Sequence, residues 1–160
     1  MAEEKLLLHK KLINRLQNTC SKKECCSSEI YKKALTALEG DKQTASEIIE
    51  LLIKDKYIDD LRYASAYARE KAHLTGWGSI KIRYMLSAKQ ISKDIINEAL
   101  TEIDNDYAED KLMKIVLQKY KSVKDDPQCR LKLLKHALGR GYGYEEVNDA
   151  VNKVMSAERE

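Results

Sequence analysis

Apolar residues recur along this chain at intervals of three and four, the period of one face of an α-helix. Three segments carry the pattern with the same internal spacing: "TASEIIELL" (44–52), "SKDIINEAL" (92–100) and "GYEEVNDAV" (143–151). Each opens on a residue suited to a helix N-cap, Thr44, Ser92 or Gly143. A branched aliphatic follows four positions later (Ile48, Ile96, Val147), an acid two after that (Glu50, Glu98, Asp149), and each closes on Leu52, Leu100 or Val151. Early acids, namely Glu47, Asp94, Glu145 and Glu146, complement the positive end of a helix dipole. Offsets of 48 and 51 residues between the segments argue for stacked helical units, none able to bury its apolar face alone, and exclude the shorter tetratricopeptide period.

Working outward from these segments predicts three helices per unit. The first unit (1–57) has helices at about 3–21, 26–39 and 44–55; the second (58–103) at about 59–74, 79–88 and 92–103. The third (104–160) has them at about 105–122, 127–139 and 143–156, with Pro127 in a first turn, where its missing N–H costs nothing. Tyr63, Tyr67 and Leu74, with Ala66 beside them, are expected on one core face, as are Ile82, Met85 and Leu86. The fold class is therefore all-α, three tandem three-helix repeats with nine helices.

Composition sharpens this picture. One proline and six glycines leave few helix breakers, and 43% apolar with 34% charged residues suits a folded chain. Nine tyrosines and no phenylalanine suggest half-buried rings with wet hydroxyls. The start, "MAEEKLLLHKKLINRL", opens on acids and has too short an apolar run for a signal peptide, and no window reaches transmembrane length. A cytoplasmic, monomeric protein with reduced thiols is expected, with no membrane association. Cys20, Cys25, Cys26 and Cys129 lack zinc-site spacing and the three histidines are scattered, so no metal and no cofactor is expected.

Charge is strongly patterned. Residues 1–60 are neutral overall, 61–93 carry +6, 94–110 carry −7, 111–140 carry +7 and 141–160 carry −3. The plain reading is solvated faces that attract one another between neighbouring units. The sharper one is a basic ridge facing a polyanion, either nucleic acid or an acidic protein surface. The ridge residues are Arg62, Arg69, Lys71, Lys81, Arg83, Lys111, Lys114, Lys132 and Arg140. Arg62 and Arg69 lie seven apart, on a helix face distinct from that of Tyr63 and Tyr67. Interleaved tyrosines and Trp77 suit stacking on single-stranded bases, although tyrosine at helical spacing more often serves a core.

No enzyme is expected. A Walker-type phosphate loop is missing, and "GWGSIK" and "GRGYG" lack the third glycine and the preceding strand of a nucleotide cradle. Nor does any His/Cys/Ser set have nucleophile-and-base spacing. The paired acids Asp59–Asp60 and Asp125–Asp126 precede helices and suit caps. Gly76 and Gly78 are expected to end one basic helix and release the next, with Trp77 wedged at the joint. The "GYG" at 141–143 is not the repeat equivalent of this joint, because the 51-residue offset maps it onto Gln90–Ser92.

The run "DDLRYASAYAREKAHLTGWGSIKIRYML" (59–86) resembles the signature of the RecX recombination regulators. The matching positions are Asp59, Asp60, Arg62, Tyr63, Ala64, Arg69, Gly76, Trp77, Gly78, Lys81 and Ile82. "LGRGYGYEEV" (138–147) is similar to a late motif of that family through Leu138, Arg140, Gly141 and Tyr142, and "SSEIYKKAL" (27–35) to one in its first unit. The Cys cluster in the first turn, and Gly139 where an Arg-Arg pair is usual, depart from the pattern. The resemblance implies an elongated, curved all-α array. It also implies a non-catalytic modulator that binds the RecA–single-stranded-DNA filament, inhibits it, and so regulates recombination, DNA repair and the SOS response. The alternative is a helical protein that binds DNA or RNA directly, without a recombinase; a third is a purely protein-binding scaffold.

Overall fold

The computed structural model describes residues 2–159, and every regular element among them is helical. The segments are α1 (Ala2–Leu8), α2 (Lys10–Lys22), α3 (Ser27–Ala37), α4 (Lys42–Lys54), α5 (Asp60–Glu70), α6 (Ser79–Ala88), α7 (Lys93–Leu100), α8 (Asn105–Val123), α9 (Cys129–Gly139) and α10 (Tyr144–Arg159). Only His9 separates α1 from α2, and a π-helical turn, Lys71–Thr75, prolongs α5. Counted that way, the described residues form nine helices, each overlapping one expected from the periodicity. No helix among them is long and apolar enough to cross a membrane.

The caps of α4, α7 and α10 sit at Asp41, Ser92 and Gly143, which are equally spaced by 51 residues. Thr44 is not the first cap: it lies inside α4, buried, where Asp41 accepts from its N–H (3.1 Å) and its hydroxyl (2.6 Å). A carboxylate three residues upstream is the acceptor a first-turn N–H needs, so Asp41 takes the role. Positions four, seven, eight and eleven beyond each cap then coincide. They are Ala45, Ile48, Ile49 and Leu52 in α4; Ile96, Ala99, Leu100 and Ile103 in or just beyond α7; and Val147, Ala150, Val151 and Val154 in α10. All twelve are buried or half-buried.

The chain divides into two compact units. The first holds the residues up to Ala66 together with Leu86–Ala99. Its core is Ile13 and Leu16 of α2, Ile30 and Ala34 of α3, and Ile48 and Leu52 of α4, joined by Cys20, Cys25 and Ile58. Burial of each such aliphatic stabilises by about 1.5–3 kcal/mol. The two acids of the Asp59–Asp60 pair serve different helices. Asp59 accepts from the Arg62 N–H (3.0 Å) and caps α5, whereas Asp60 reaches α3, accepting from the Ser27 N–H (2.8 Å) and hydroxyl (2.7 Å). Next to it Ser28 donates to the Lys89 carbonyl (2.6 Å), and the Lys89 ammonium binds Glu29 and lies 5.9 Å from the Tyr63 ring centroid.

The second unit comprises Tyr67–Met85 and the residues from Leu100 onward. Leu112 and Val116 of α8, Leu133 and Ala137 of α9, and Val147 and Val151 of α10 form its core. Pro127 lies in the turn before α9 rather than in its first helical turn, because Cys129 N–H closes that turn on the Asp126 carbonyl (3.0 Å). The inward row of α5 and its continuation is Ala64, Ala68 and Ala72, with Tyr63 and Tyr67 half-buried beside it. Leu74, expected in the core, is 81% exposed. The π turn holds more residues per turn, so positions beyond Glu70 fall out of helical phase.

Two glycine segments 63 residues apart meet inside this unit. Gly78 N–H donates to the Arg140 carbonyl (2.8 Å) and Ile80 N–H to the Gly141 carbonyl (3.0 Å), so the turn between α9 and α10 caps the free donors at the start of α6. The backbones touch closely. A Cβ on Gly78 would lie 2.5 Å from the Gly141 oxygen, and one on Gly141, whose φ is +95°, would lie 2.3 Å from the Lys81 Cβ. Gly78→Ala and Gly141→Ala are each expected to lower stability by about 2 kcal/mol or more in urea unfolding. Gly139→Ala, with nothing within 4 Å of the added methyl, is expected to be neutral or to stabilise by up to about 1 kcal/mol. Equal stability of all three variants counts against the close crossing.

Candidate polyanion interface

The joint between α5 and α6 is built on a single carbonyl. The π turn leaves the oxygen of Lys71 to accept from both the Gly76 and the Trp77 N–H groups, the latter at 2.9 Å. Gly76, in the left-handed conformation (φ 75°), ends the turn, and its own carbonyl accepts from the buried Tyr142 hydroxyl (3.1 Å). Burial pushes the Tyr142 phenol up to about 12, so the group remains a neutral donor. Arg140 donates through Nη1 to the Thr75 carbonyl (2.8 Å). The guanidinium therefore holds the joint from within.

Trp77 is half-buried at this joint. Its ring meets Tyr67 edge-on, with centroids 6.4 Å apart. The Lys71 and Lys81 ammoniums lie 4.9 and 4.5 Å from the Trp77 centroid, and Lys71 also lies 5.5 Å from that of Tyr67. Each such contact contributes about 0.5–1 kcal/mol where water has access. Among the described residues neither lysine has a carboxylate partner. Lys111 adds a third cation, its Nζ directed at the His73 carbonyl (3.4 Å), while His73 itself stands edge-on to Tyr107.

The other sequence-derived cations fall into distinct environments. Arg62 is bound by Glu24 through Nε (2.5 and 2.8 Å) and donates from Nη2 to the carbonyls of Lys56 (3.1 Å) and Tyr57 (3.4 Å). Arg69 pairs with Glu102, a member of the acidic run, and Lys132 with Asp126. Such exposed pairs add little to stability, yet each cancels a charge locally. Arg83 on α6 and Lys114 on α8 are exposed. The structure thus gathers Lys71, Lys81 and Lys111 around Trp77 with their charge unneutralised, and ties Arg62, Arg69 and Lys132 to acids.

One cationic feature escaped the sequence reading. A groove of about 320 Å³ is lined by Ile115, Gln118, Lys119, Ser122, His136 and Arg140. Lys119 and His136 sit in different helices, seventeen positions apart, with no local spacing to connect them. Burial, followed by the charges of Arg140 and Lys119, holds the His136 imidazole below its ordinary value. Among the described residues no group of three or more His, Cys, Asp or Glu is placed to hold a metal, and all four cysteines are free thiols.

A family profile described as RecX, second three-helix domain, matches residues 59–100, the stretch that contains α5, the joint, α6 and α7. Regulatory protein RecX of Clostridium tetani is 36% identical over 132 residues, 79% of this chain and 59% of that protein. Its counterpart in Clostridium botulinum (strain Alaska E43) is 31% identical over 122 residues, 74% and 57% of the two chains. The chain thus spans somewhat under three-fifths of the length of these relatives. In fold, it is similar to the crystal structure of RecX from Lactobacillus salivarius (TM-score 0.81, 24% identity), covering 91% of this chain and 95% of that one. A second crystal structure of regulatory protein RecX gives a TM-score of 0.80 at 22% identity, covering 91% and 71%.

The His136 groove yields a pH dependence. The imidazole is depressed in the folded chain, so its contribution to stability is present above its unfolded value of 6.5 and is lost as pH falls through the lower folded value. Thermal melts between about pH 7.5 and pH 5 are expected to show falling stability, and His136→Gln is expected to flatten that slope. A slope unchanged in the variant would assign it elsewhere.

Proposed function

Over the stretch it shares with its relatives this chain belongs to the RecX family of regulatory proteins, and from that premise we propose that it modulates a RecA recombinase filament, without catalysing a reaction of its own. It acts as a monomer in the cytoplasm, where it binds the RecA–single-stranded-DNA filament and inhibits it. Recombination, DNA repair and the SOS response are regulated in consequence. Its building units are three three-helix repeats, 1–57, 58–103 and 104–160, a reading supported by the equal spacing of Asp41, Ser92 and Gly143.

One observation carries the interface: the unneutralised lysines held on Trp77. A chain with 26 acids keeps Lys71 and Lys81 clear of every carboxylate among the described residues, and fixes their ammoniums on an aromatic ring. Fixed cations without counter-charges are what a phosphate backbone recognises, since each one neutralised releases a counterion. Lys111 and Lys114 extend the same charge, and Arg83 adds an exposed guanidinium on α6. Arg69 and Lys132 act as exchangeable pairs, because an exposed carboxylate partner yields readily to a phosphate, whereas Arg62 also holds two backbone carbonyls and serves the fold. Arg140 shapes the joint from inside, holding Thr75.

The test is inhibition of RecA ATPase by the Lys71→Glu/Lys81→Glu variant. We expect inhibition to weaken by at least about tenfold and the salt slope of binding to fall by about two, while loss of the ring contacts lowers the melting temperature by only a few degrees and leaves the chain folded. Arg62→Glu is expected to lower the melting temperature more, because it frees Glu24 and two carbonyls. Full inhibition by the double lysine variant would remove the interface. Tight binding of naked DNA without inhibition would replace the recombinase partner by nucleic acid alone.

A further inference from the structure

Behind Trp77 lies a cavity of about 100 Å³ in the second unit. That is several times the space of one ordered water and well below a drug-sized pocket, the scale of one planar heterocycle. Its walls are aromatic: Trp77, Tyr107 and Tyr142 all line it. Ser79, Asn105 and Glu146 supply polar edges, and among the described residues none of these three side chains makes a hydrogen bond within the chain. Lys111, one of the unneutralised cations, lines the same space, and Trp77, which carries the other two, closes it.

We propose that this cavity receives one unstacked nucleobase of a single-stranded nucleic acid whose adjoining phosphates lie on Lys71, Lys81 and Lys111. The proposal rests on the polyanion interface described above and deepens it, from charge attraction to recognition of a base. Three features converge. The Tyr107 and Tyr142 rings offer walls to the flat faces of a base, as in other single-strand sites, while Trp77, whose ring carries Lys71 and Lys81, bounds the space. Ser79, Asn105 and Glu146, exposed and without hydrogen bonds inside the chain, can exchange water for the base's hydrogen-bonding edge, which is accessible only when the strand is unpaired. Lys111 on the lining and Lys71 and Lys81 on the Trp77 ring that bounds it supply cations for the phosphates that flank the base. The acceptor-only carboxylate of Glu146 favours a base with an exocyclic amine, so deoxycytidine fits better than thymidine. A cavity that served packing alone would be apolar, whereas this one mixes aromatic walls with polar side chains that have no partner inside the chain.

Trp77 is the only tryptophan of the chain, so its emission reports occupancy directly. Oligodeoxycytidine, oligothymidine and an abasic oligomer of equal length are titrated into the full chain, with salt dependence and RecA ATPase inhibition measured in parallel. We expect oligodeoxycytidine to quench Trp77 and to bind about tenfold more tightly than the abasic oligomer, within the range of one base–aromatic contact, with oligothymidine between them. Ala108→Phe, which fills the cavity and leaves every lysine in place, is expected to reduce binding of oligodeoxycytidine to the abasic level. Glu146→Gln, at an exposed position, is expected to erase the preference for cytosine over thymine, read as the ratio of the two affinities, so that any general gain from the lost negative charge cancels. Equal affinity and equal quenching by all three oligomers overturn the base pocket, while salt-dependent binding and inhibition would leave the interface standing. Failure of every oligomer to bind overturns the pocket, and loss of ATPase inhibition as well would overturn the interface with it.

Discussion

The contact of Gly78 with Gly141 is the constraint on which the candidate site depends. Two backbones approach until no Cβ fits between them, and that closeness lets two carbonyls of the α9–α10 turn reach the free N–H groups at the start of α6. Some helix starts in this chain are capped by the residue just before them, as Asp41 caps α4 and Asp59 caps α5, while α3 takes the distant Asp60 carboxylate. The start of α6 has Gly78 before it and no side chain to offer, so it borrows a cap from 63 residues away. Once that turn is docked, Arg140 and Tyr142 come with it and engage the carbonyls of Thr75 and Gly76. The π turn, the left-handed Gly76 and the placement of Trp77 are thereby held from both sides.

What distinguishes the candidate interface from the rest of a highly charged surface is bookkeeping of partners. The chain has nearly equal numbers of acids and bases, and proximity decides which charges survive. Arg69 meets Glu102 because the acidic run after α7 folds back within reach, and Arg62 meets Glu24 at the end of α2. Lys71 and Lys81 escape because what lies beside them is an indole and a glycine crossing, neither of which bears a carboxylate. The same geometry that removes side chains at Gly78 and Gly141 therefore removes competition for the lysines.

Much of the fold was legible in the sequence, because helix periodicity and scarce breakers are local properties. All nine helices and the buried set of α4, α7 and α10 follow from them, and a correct first cap at Asp41 tightens the repeat offset to a constant 51. Thr44 misled because threonine suits a cap by type, while burial and an acid three residues earlier decide the matter. The π turn was not legible: nothing in "KAHLT" differs from ordinary helix, and the phase shift that exposes Leu74 comes from how Lys71 satisfies two donors beyond it. For the site, Gly76, Trp77 and Gly78 were recognisable as a joint. That "GRGYG" closes on that joint was not, since a contact across 63 residues leaves no periodic trace.

Arg140 shows how a correct charge can hold an unexpected place. By composition it belongs to the most basic stretch of the chain, yet its guanidinium points at a backbone carbonyl and its own carbonyl serves Gly78. Lysine could not do this work equally well, since a planar fork with several donors can hold Thr75 while still turning charge toward the groove it shares with Lys119 and His136. The joint is consequently rigid where it meets the core and charged where it meets solvent. The Lys71 and Lys81 ammoniums thus rest against Trp77 with no carboxylate paired to them, and each ring contact, at about 0.5–1 kcal/mol, offsets part of the side-chain entropy that ordering a lysine costs.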